Sequence, residues 1–192
     1  MLDNLKNKKV ILASKSPRRQ QLLAGLDIEF EIRTKDVEEV YPADMIPVEV
    51  PEYLAKLKAD EFKGELKDNE IIITSDTIVV LEGDILEKPY DWKEAKEMLR
   101  MLSGKTHTVI TGVCIRSNNK EVSFSDHTEV TFCELTEEEI EYYVSKYKPF
   151  DKAGSYGVQE WIGYIAIDNL EGSYFNVMGL PLNLVYKELK EF

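Results

Sequence analysis

At 192 residues, 43% of them hydrophobic, the chain suits one domain, or one domain split into two lobes, with a sizeable core. Its 36 acidic against 24 basic residues leave a net charge of −12, which argues against nonspecific binding to nucleic acid or an anionic membrane and favours a small phosphorylated partner. No stretch approaches the roughly 18 to 20 apolar residues of a spanning helix, and Met-Leu-Asp-Asn-Leu-Lys lacks the apolar core of a secretory signal, so a cytoplasmic, membrane-free protein is expected.

Val10, Ile11 and Leu12 read as a buried strand leading into Ala13-Ser-Lys-Ser-Pro-Arg-Arg. Ser16 suits an N-cap and Pro17 the first helical position, so the helix begins at Arg18 and Arg19. Free N–H groups, the positive end of the helix dipole and two guanidinium forks then converge on one point, which is phosphate-binding equipment. A cap followed by a solvated basic pair is the competing reading. Residues 8 to 19 nonetheless hold five basic side chains and no acid, an anion site within an acidic protein.

Gly25 can close this helix. Ile28 to Arg33 reads as a strand, and Val48 to Phe62 as a helix with Tyr53, Leu54 and Leu57 on its apolar face. Ile71 to Leu81 is the densest apolar strand, interrupted at Thr74-Ser-Asp-Thr, and Glu82-Gly-Asp turns it back toward Leu86, Glu87, Lys88 and Pro89. Asp76, set between Ile71-Ile-Ile and Ile78-Val-Val, would be costly if buried alone, so it must be paired, metal-bound or catalytic. Lys88, across the hairpin, is either its salt-bridge partner or a second phosphate ligand.

Asp91 with Glu94 and Thr136 with Glu139 mark capping boxes that open two further helices, the first closed by Gly104. Between them, residues 105 to 117 and 120 to 134 form a hairpin about Asn118-Asn119. Cys114 and Cys133 then lie roughly 30 Å apart, at about 3.3 Å per residue, too far for a disulfide. Both are expected as small buried residues, and His107 and His127 carry no chemistry. Asp151-Lys-Ala-Gly-Ser-Tyr-Gly-Val-Gln reads as a loop approaching a ligand closely, with Asp151, Lys152 and Gln159 as its polar groups, although a plain connection is the blander reading. A last helix starts at Pro181. Neither a Walker A lysine motif nor a Gly-x-Gly-x-x-Gly fingerprint occurs. The order of elements indicates an α/β protein with a mixed sheet and flanking helices.

These segments resemble the Maf family of nucleoside triphosphate pyrophosphatases, first associated with septum formation. The resemblance runs through Leu12-Ala-Ser-Lys-Ser-Pro-Arg-Arg, Leu54-Ala-Lys-Leu-Lys-Ala, Ser75-Asp-Thr-Ile-Val, Glu87-Lys-Pro, Leu102-Ser-Gly-Lys-Thr-His, Asp151-Lys-Ala-Gly-Ser-Tyr-Gly-Val-Gln and Gly172-Ser-Tyr-Phe-Asn-Val-Met-Gly-Leu-Pro. It implies an elongated mixed sheet in a single two-lobed domain over 1–192, with a central cleft as in inosine triphosphatases. It also implies cleavage between the α and β phosphates, giving monophosphate and pyrophosphate, in a house-cleaning role. Asp76 matches the catalytic aspartate, and Ser14, Arg18, Arg19, Lys58 and Lys88 match the polar positions around the phosphates. Arg18, Thr77 and Gln159 fit the branch acting on dTTP and UTP. They depart from the branch acting on 7-methyl-GTP, which resembles Trp-Arg, Asp-Gln and Glu at those places.

The chemistry of these groups agrees with that implication. Attack of water on phosphorus needs a base, for which Asp76 serves, and cations for the leaving pyrophosphate, supplied by Arg18, Arg19, Lys58 and Lys88. A divalent cation, Mg²⁺ or Mn²⁺, is expected on Asp76, with Glu38 or Glu39 as an additional ligand. Gln159 and Thr77 can each donate and accept, which suits a pyrimidine edge. A homodimer is compatible with this class. The alternative is a nucleotide-binding regulator of septum formation without significant turnover.

Overall fold

The structure, a computed structural model, describes residues 2–192. In chain order its elements are β1 (Lys9–Leu12), α1 (Pro17–Ala24), β2 (Phe30–Ile32), α2 (Val50–Asp60), β3 (Glu70–Leu81), β4 (Asp84–Leu86), α3 (Trp92–Leu102), β5 (Thr106–Arg116), β6 (Glu121–Phe132), α4 (Glu137–Tyr147), α5 (Trp161–Ala166), β7 (Ile167–Glu171), α6 (Tyr174–Met178) and α7 (Leu182–Leu189). Seven strands among the described residues form one sheet in the order β2-β1-β3-β5-β6-β7, with β4 paired to β3. The expected mixed α/β architecture is therefore present. No helix among these residues is long and apolar enough to cross a membrane.

Two compact units divide the chain. The first comprises Met1–Asp76, Thr111–Asp126 and Gly179–Phe192. Here β1 lies between two parallel neighbours, Val10 pairing with Phe30 on one side and Ile71 on the other, and Val10, Ile11 and Leu12 are all buried. An interior parallel strand covered on both faces has no use for polar alternation, which is why Val-Ile-Leu reads as a continuous apolar run. Helix α2 buries Val50, Pro51, Leu54, Ala55 and Ala59, whereas Tyr53 is exposed and Leu57 half-buried. The buried face is thus smaller and rotated from the one expected. Ala55 and Ala59 pack on Cys114, and a Cβ on Gly112 would lie 2.2 Å from the backbone of Pro51 and Glu52. Small residues on both sides let the helix backbone approach β5 closely.

The second unit comprises Thr77–Ile110 and His127–Met178. Its β3–β4 hairpin pairs Leu81 with Asp84 and turns through Glu82 and Gly83, both at positive φ. Two such residues match the right-handed twist of the strands they join. Asp91 caps α3 by accepting from the Lys93 and Glu94 amides at 2.9 Å; the Glu94 carboxylate reaches back to the Tyr90 amide rather than to Asp91. Thr136 and Glu139 form the complete capping box at α4. His107 is buried, its Nε2 2.7 Å from the Tyr156 hydroxyl, with the rings of Phe132 and Tyr156 edge-on around it. Both cysteines are free, as expected, but Cys133 is exposed rather than buried. It lies just past the end of β6, where its N–H donates to the Ala166 carbonyl.

Candidate active site

The turn after β1 is held by Ser14, whose hydroxyl accepts the Ser16 N–H at 3.2 Å and whose carbonyl accepts Gln20 Nε2 at 3.3 Å. Ser16 occupies the cap position in extended conformation, but its side chain makes no capping bond; the hydroxyl engaged on the turn is that of Ser14. Pro17 is the first helical residue as expected. Arg18 and Arg19 follow in the first turn. Arg19 Nε donates to the Gly179 carbonyl at 2.8 Å and Nη1 to the Ser75 carbonyl at 2.9 Å, bracing α1 against β3 one residue before Asp76. Loss of hydration pulls the Arg19 guanidinium below its ordinary pKa. Asp76 opposes that fall, Arg18 adds to it and Glu39 opposes it, which places all four charges in one electrostatic neighbourhood.

Asp76 is 8% exposed. Its partner is Lys58, whose ammonium donates to Asp76 Oδ1 at 2.6 Å and pairs with Glu39 Oε1 at 2.8 Å. The close seating of α2 brings this about. One pleat earlier on β3, Thr74 Oγ1 donates to the Ala55 carbonyl at 2.7 Å, so the Thr74–Asp76 face looks onto α2 and Lys58 in its last turn reaches the carboxylate. Lys88 is therefore not the salt-bridge partner of Asp76. Register pairing of the hairpin ends at Val79 and Leu86, and Lys88 is exposed beyond it. Thr77 is half-buried, and strand alternation turns its side chain from the Asp76 face.

Asp76 and Glu39 both turn a carboxylate oxygen toward one cationic group, the donor chemistry that a hard divalent cation requires. They fit Mg²⁺ or Mn²⁺ as two protein ligands. Glu38 and Glu39 are both exposed, and it is the Glu39 carboxylate that pairs with Lys58. Among the described residues no group of three or more His, Cys, Asp and Glu side chains is placed to hold a metal, so the remaining positions would fall to water and phosphate oxygens.

In the second unit, the loop after α4 gathers around Lys152. Only 7% exposed, Lys152 donates to Asp151 Oδ1 at 2.8 Å and pairs with Glu160 Oε1 at 3.1 Å. The other Glu160 oxygen accepts the Tyr143 hydroxyl proton, and that hydroxyl accepts the Gly157 N–H at 3.1 Å. Gln159 lies inside this turn with Oε1 buried and without a hydrogen-bond partner. Gly154 and Ser155 adopt positive φ, and a Cβ on Gly154 would meet the Val79 side chain at 2.9 Å, so what this glycine approaches closely is Val79 of β3. Lys152 is thus engaged with both Asp151 and Glu160. Sequence reasoning singled out neither Tyr143 nor Glu160 as functional; the available signal was that a buried lysine needs more than one neighbouring carboxylate.

A family model described as "Maf-like protein" matches residues 9–192. Curated relatives include the dTTP/UTP pyrophosphatase of Porphyromonas gingivalis (strain ATCC 33277), 55% identical over all of this chain and 98% of that protein. A Phocaeicola vulgatus protein of the same name is 53% identical over the full length of both chains, and one from Flavobacterium psychrophilum is 53% identical over 94% of this chain and 92% of its own. Among solved structures, the Staphylococcus aureus Ham1 protein is similar over 65% of this chain and 72% of its own, at 15% identity and a TM-score of 0.46. With a family model covering nearly the whole sequence and relatives above half identity from end to end, the chain belongs to the Maf-like protein family.

Proposed function

We propose that this protein hydrolyses nucleoside triphosphates to the monophosphate and pyrophosphate, with dTTP and UTP favoured, the whole chain working as one pyrophosphatase domain in the cytoplasm. The observation that carries this reading is the nearly buried Asp76 carboxylate, held by Lys58 beside Glu39 and Arg19 at the turn that opens α1. The names of relatives at 49–55% identity support it.

Asp76 accepts the proton of the attacking water, and Lys58 holds that carboxylate in place. Arg18 and Arg19 at the start of α1, with the Ser14 hydroxyl and Lys88, bind the phosphates and offset the charge that grows on the leaving pyrophosphate. Asp76 and Glu39 would hold the divalent cation, Mg²⁺ or Mn²⁺, which when bound supplies charge neutralisation at the phosphate oxygens. Gln159 and Thr77 read the base. The unpartnered Gln159 Oε1 awaits a donor. Uracil and thymine present N3–H on their pairing edge, whereas cytosine presents an acceptor there and would leave the amide oxygen unsatisfied.

Pyrophosphate release from dTTP, UTP, CTP, GTP and 7-methyl-GTP, compared between wild type and Asp76→Asn, tests the proposal. Turnover concentrated on dTTP and UTP, and lowered by about 10²- to 10⁴-fold in a still-folded Asp76→Asn, is expected. Wild type that binds these nucleotides yet releases no pyrophosphate with Mg²⁺ or Mn²⁺ overturns it in favour of a nucleotide-binding regulator.

A further inference from the structure

Resting on the reading that Gln159 recognises the base, we infer that Tyr143 is a positioning residue: its buried hydroxyl clamps the 157–160 turn on both sides of Gln159 and fixes where the recognition amide points.

Residues 157–160 form a turn closed by the Glu160 N–H donating to the Gly157 carbonyl at 2.9 Å. A single hydroxyl holds both ends of that turn. Tyr143 donates to Glu160 Oε2 and accepts the Gly157 N–H, so its one proton and one lone pair are each committed, and Gln159 lies between the two anchored residues. The amide has little freedom of its own. A Cβ on Gly157 would lie 3.0 Å from Gln159 Nε2 and 3.0 Å from the Glu160 carboxyl carbon, so the Gln159 amide is folded onto Gly157, beside the carboxylate that Tyr143 fixes.

The clamp is itself rigidly mounted. Tyr143 is fully buried on α4, whose first turn is fixed by the Thr136–Glu139 capping box, and its ring stacks on Tyr147 at 5.1 Å. Burial, reinforced by the Glu160 charge, pushes the phenol well above its ordinary pKa, so it remains a proton donor across the physiological range. Lys152 pairs with the second Glu160 oxygen at 3.1 Å, so both oxygens of that side chain are engaged. Removing only the hydroxyl leaves the buried Gly157 N–H and one oxygen of the half-buried Glu160 without their partner, and the turn carrying Gln159 gains freedom to relax.

The test is the ratio of kcat/KM for UTP over CTP in wild type, Tyr143→Phe, Gln159→Ala and the double variant, measured well below each melting temperature. Tyr143→Phe is expected to lower the ratio by about three- to tenfold, the worth of one hydrogen bond. The double variant should show the ratio of Gln159→Ala alone, because a clamp has nothing left to position once the amide is gone. A residue that serves only the core would lower the melting temperature and leave the ratio at its wild-type value. That result, beside a Gln159→Ala whose ratio has collapsed, overturns the clamp and leaves the reading of Gln159 standing. Additive losses in the double variant also overturn the clamp. An unchanged ratio in Gln159→Ala removes the underlying reading, and the clamp with it. Should Tyr143→Phe fail to fold, Glu160→Gln, which keeps the side-chain shape but loses the charge that holds Lys152, is expected to lower the ratio in the same way; a wild-type ratio there overturns the proposal.

Discussion

Arg19 commits Nε and Nη1 to the carbonyls of Gly179 and Ser75, so part of its contribution is structural before any nucleotide arrives. A lysine carries the same charge on a single ammonium and cannot span two carbonyls in the geometry of a guanidinium fork. Arg19→Lys is therefore expected to lose about 1.5–3 kcal/mol of stability in urea unfolding without nucleotide, the range for a hydrogen bond to a charged group. Unchanged stability would mean that the brace contributes nothing to the fold. The sequence made Asp76 legible because a carboxylate among six β-branched neighbours has no inexpensive explanation. Its partner was not legible. Hairpin arithmetic pointed to Lys88, but strand pairing stops at Leu86 and the charge that reaches Asp76 comes from a helix eighteen residues earlier. Glu39 rather than Glu38 could not be chosen either, since residues 33–40 follow no helical or strand period that would say which side chain reaches Lys58.

At the scale of elements, caps and turns were readable because their chemistry is local: Thr136 with Glu139, Pro17 at the start of α1, and Glu82-Gly83 at the hairpin. Helix α5 and strand β7 were not. They are six and five residues long, too short for a period to declare itself, and β7 takes its form from pairing with β6, Val130 against Leu170 and Glu129 against Glu171. The face of α2 was misread for a related reason. Its large residues suggested a stripe through Tyr53 and Leu57, whereas the close approach to β5 selects Ala55 and Ala59 opposite Gly112. That approach also positions Lys58, so Gly112→Ala tests both. A methyl group 2.2 Å from the Pro51 and Glu52 backbone forces α2 outward, at a cost of about 1–3 kcal/mol or more by thermal unfolding. Gly25→Ala, at φ −66° and with nothing nearer than 3.2 Å, should change stability by less than about 1 kcal/mol. Equal effects of the two substitutions would refute close packing as the reason for Gly112.

For the molecule as a whole, two buried groups that titrate in the acid range, His107 in the second unit and Glu70 in the first, act over different pH ranges. In the second unit, burial holds His107 down to about 4 from 6.5, so the folded state keeps it neutral where the unfolded chain would protonate it. The unfolded state then binds more protons between pH 6.5 and 4, and this contribution to stability is present above 6.5 and lost as pH falls through that window. In the first unit, Glu70 is 1% exposed and receives a two-pronged hydrogen bond from Arg33, at 2.9 and 3.1 Å, with a third from the Lys67 N–H. Arg33 foremost holds its carboxyl down to about 2 from 4.5 against the opposing effect of burial. That contribution, about 2 kcal/mol after allowing for the partly exposed Arg33, is present above pH 4.5 and lost as pH falls toward 2. The net charge falls from −12 to zero near the pI of 4.7 and turns increasingly positive below it, so self-repulsion first eases and then returns, which blurs any single global reading. Amide hydrogen exchange separates the contributions by place. Amides flanking His107 and Tyr156 should lose protection between pH 6.5 and 4, while those of β1 and of β3 near Glu70 hold until below pH 4.5. His107→Gln should abolish the first loss and leave the second. Simultaneous loss at both places in the wild type would show that neither buried group governs the acid response of its own unit.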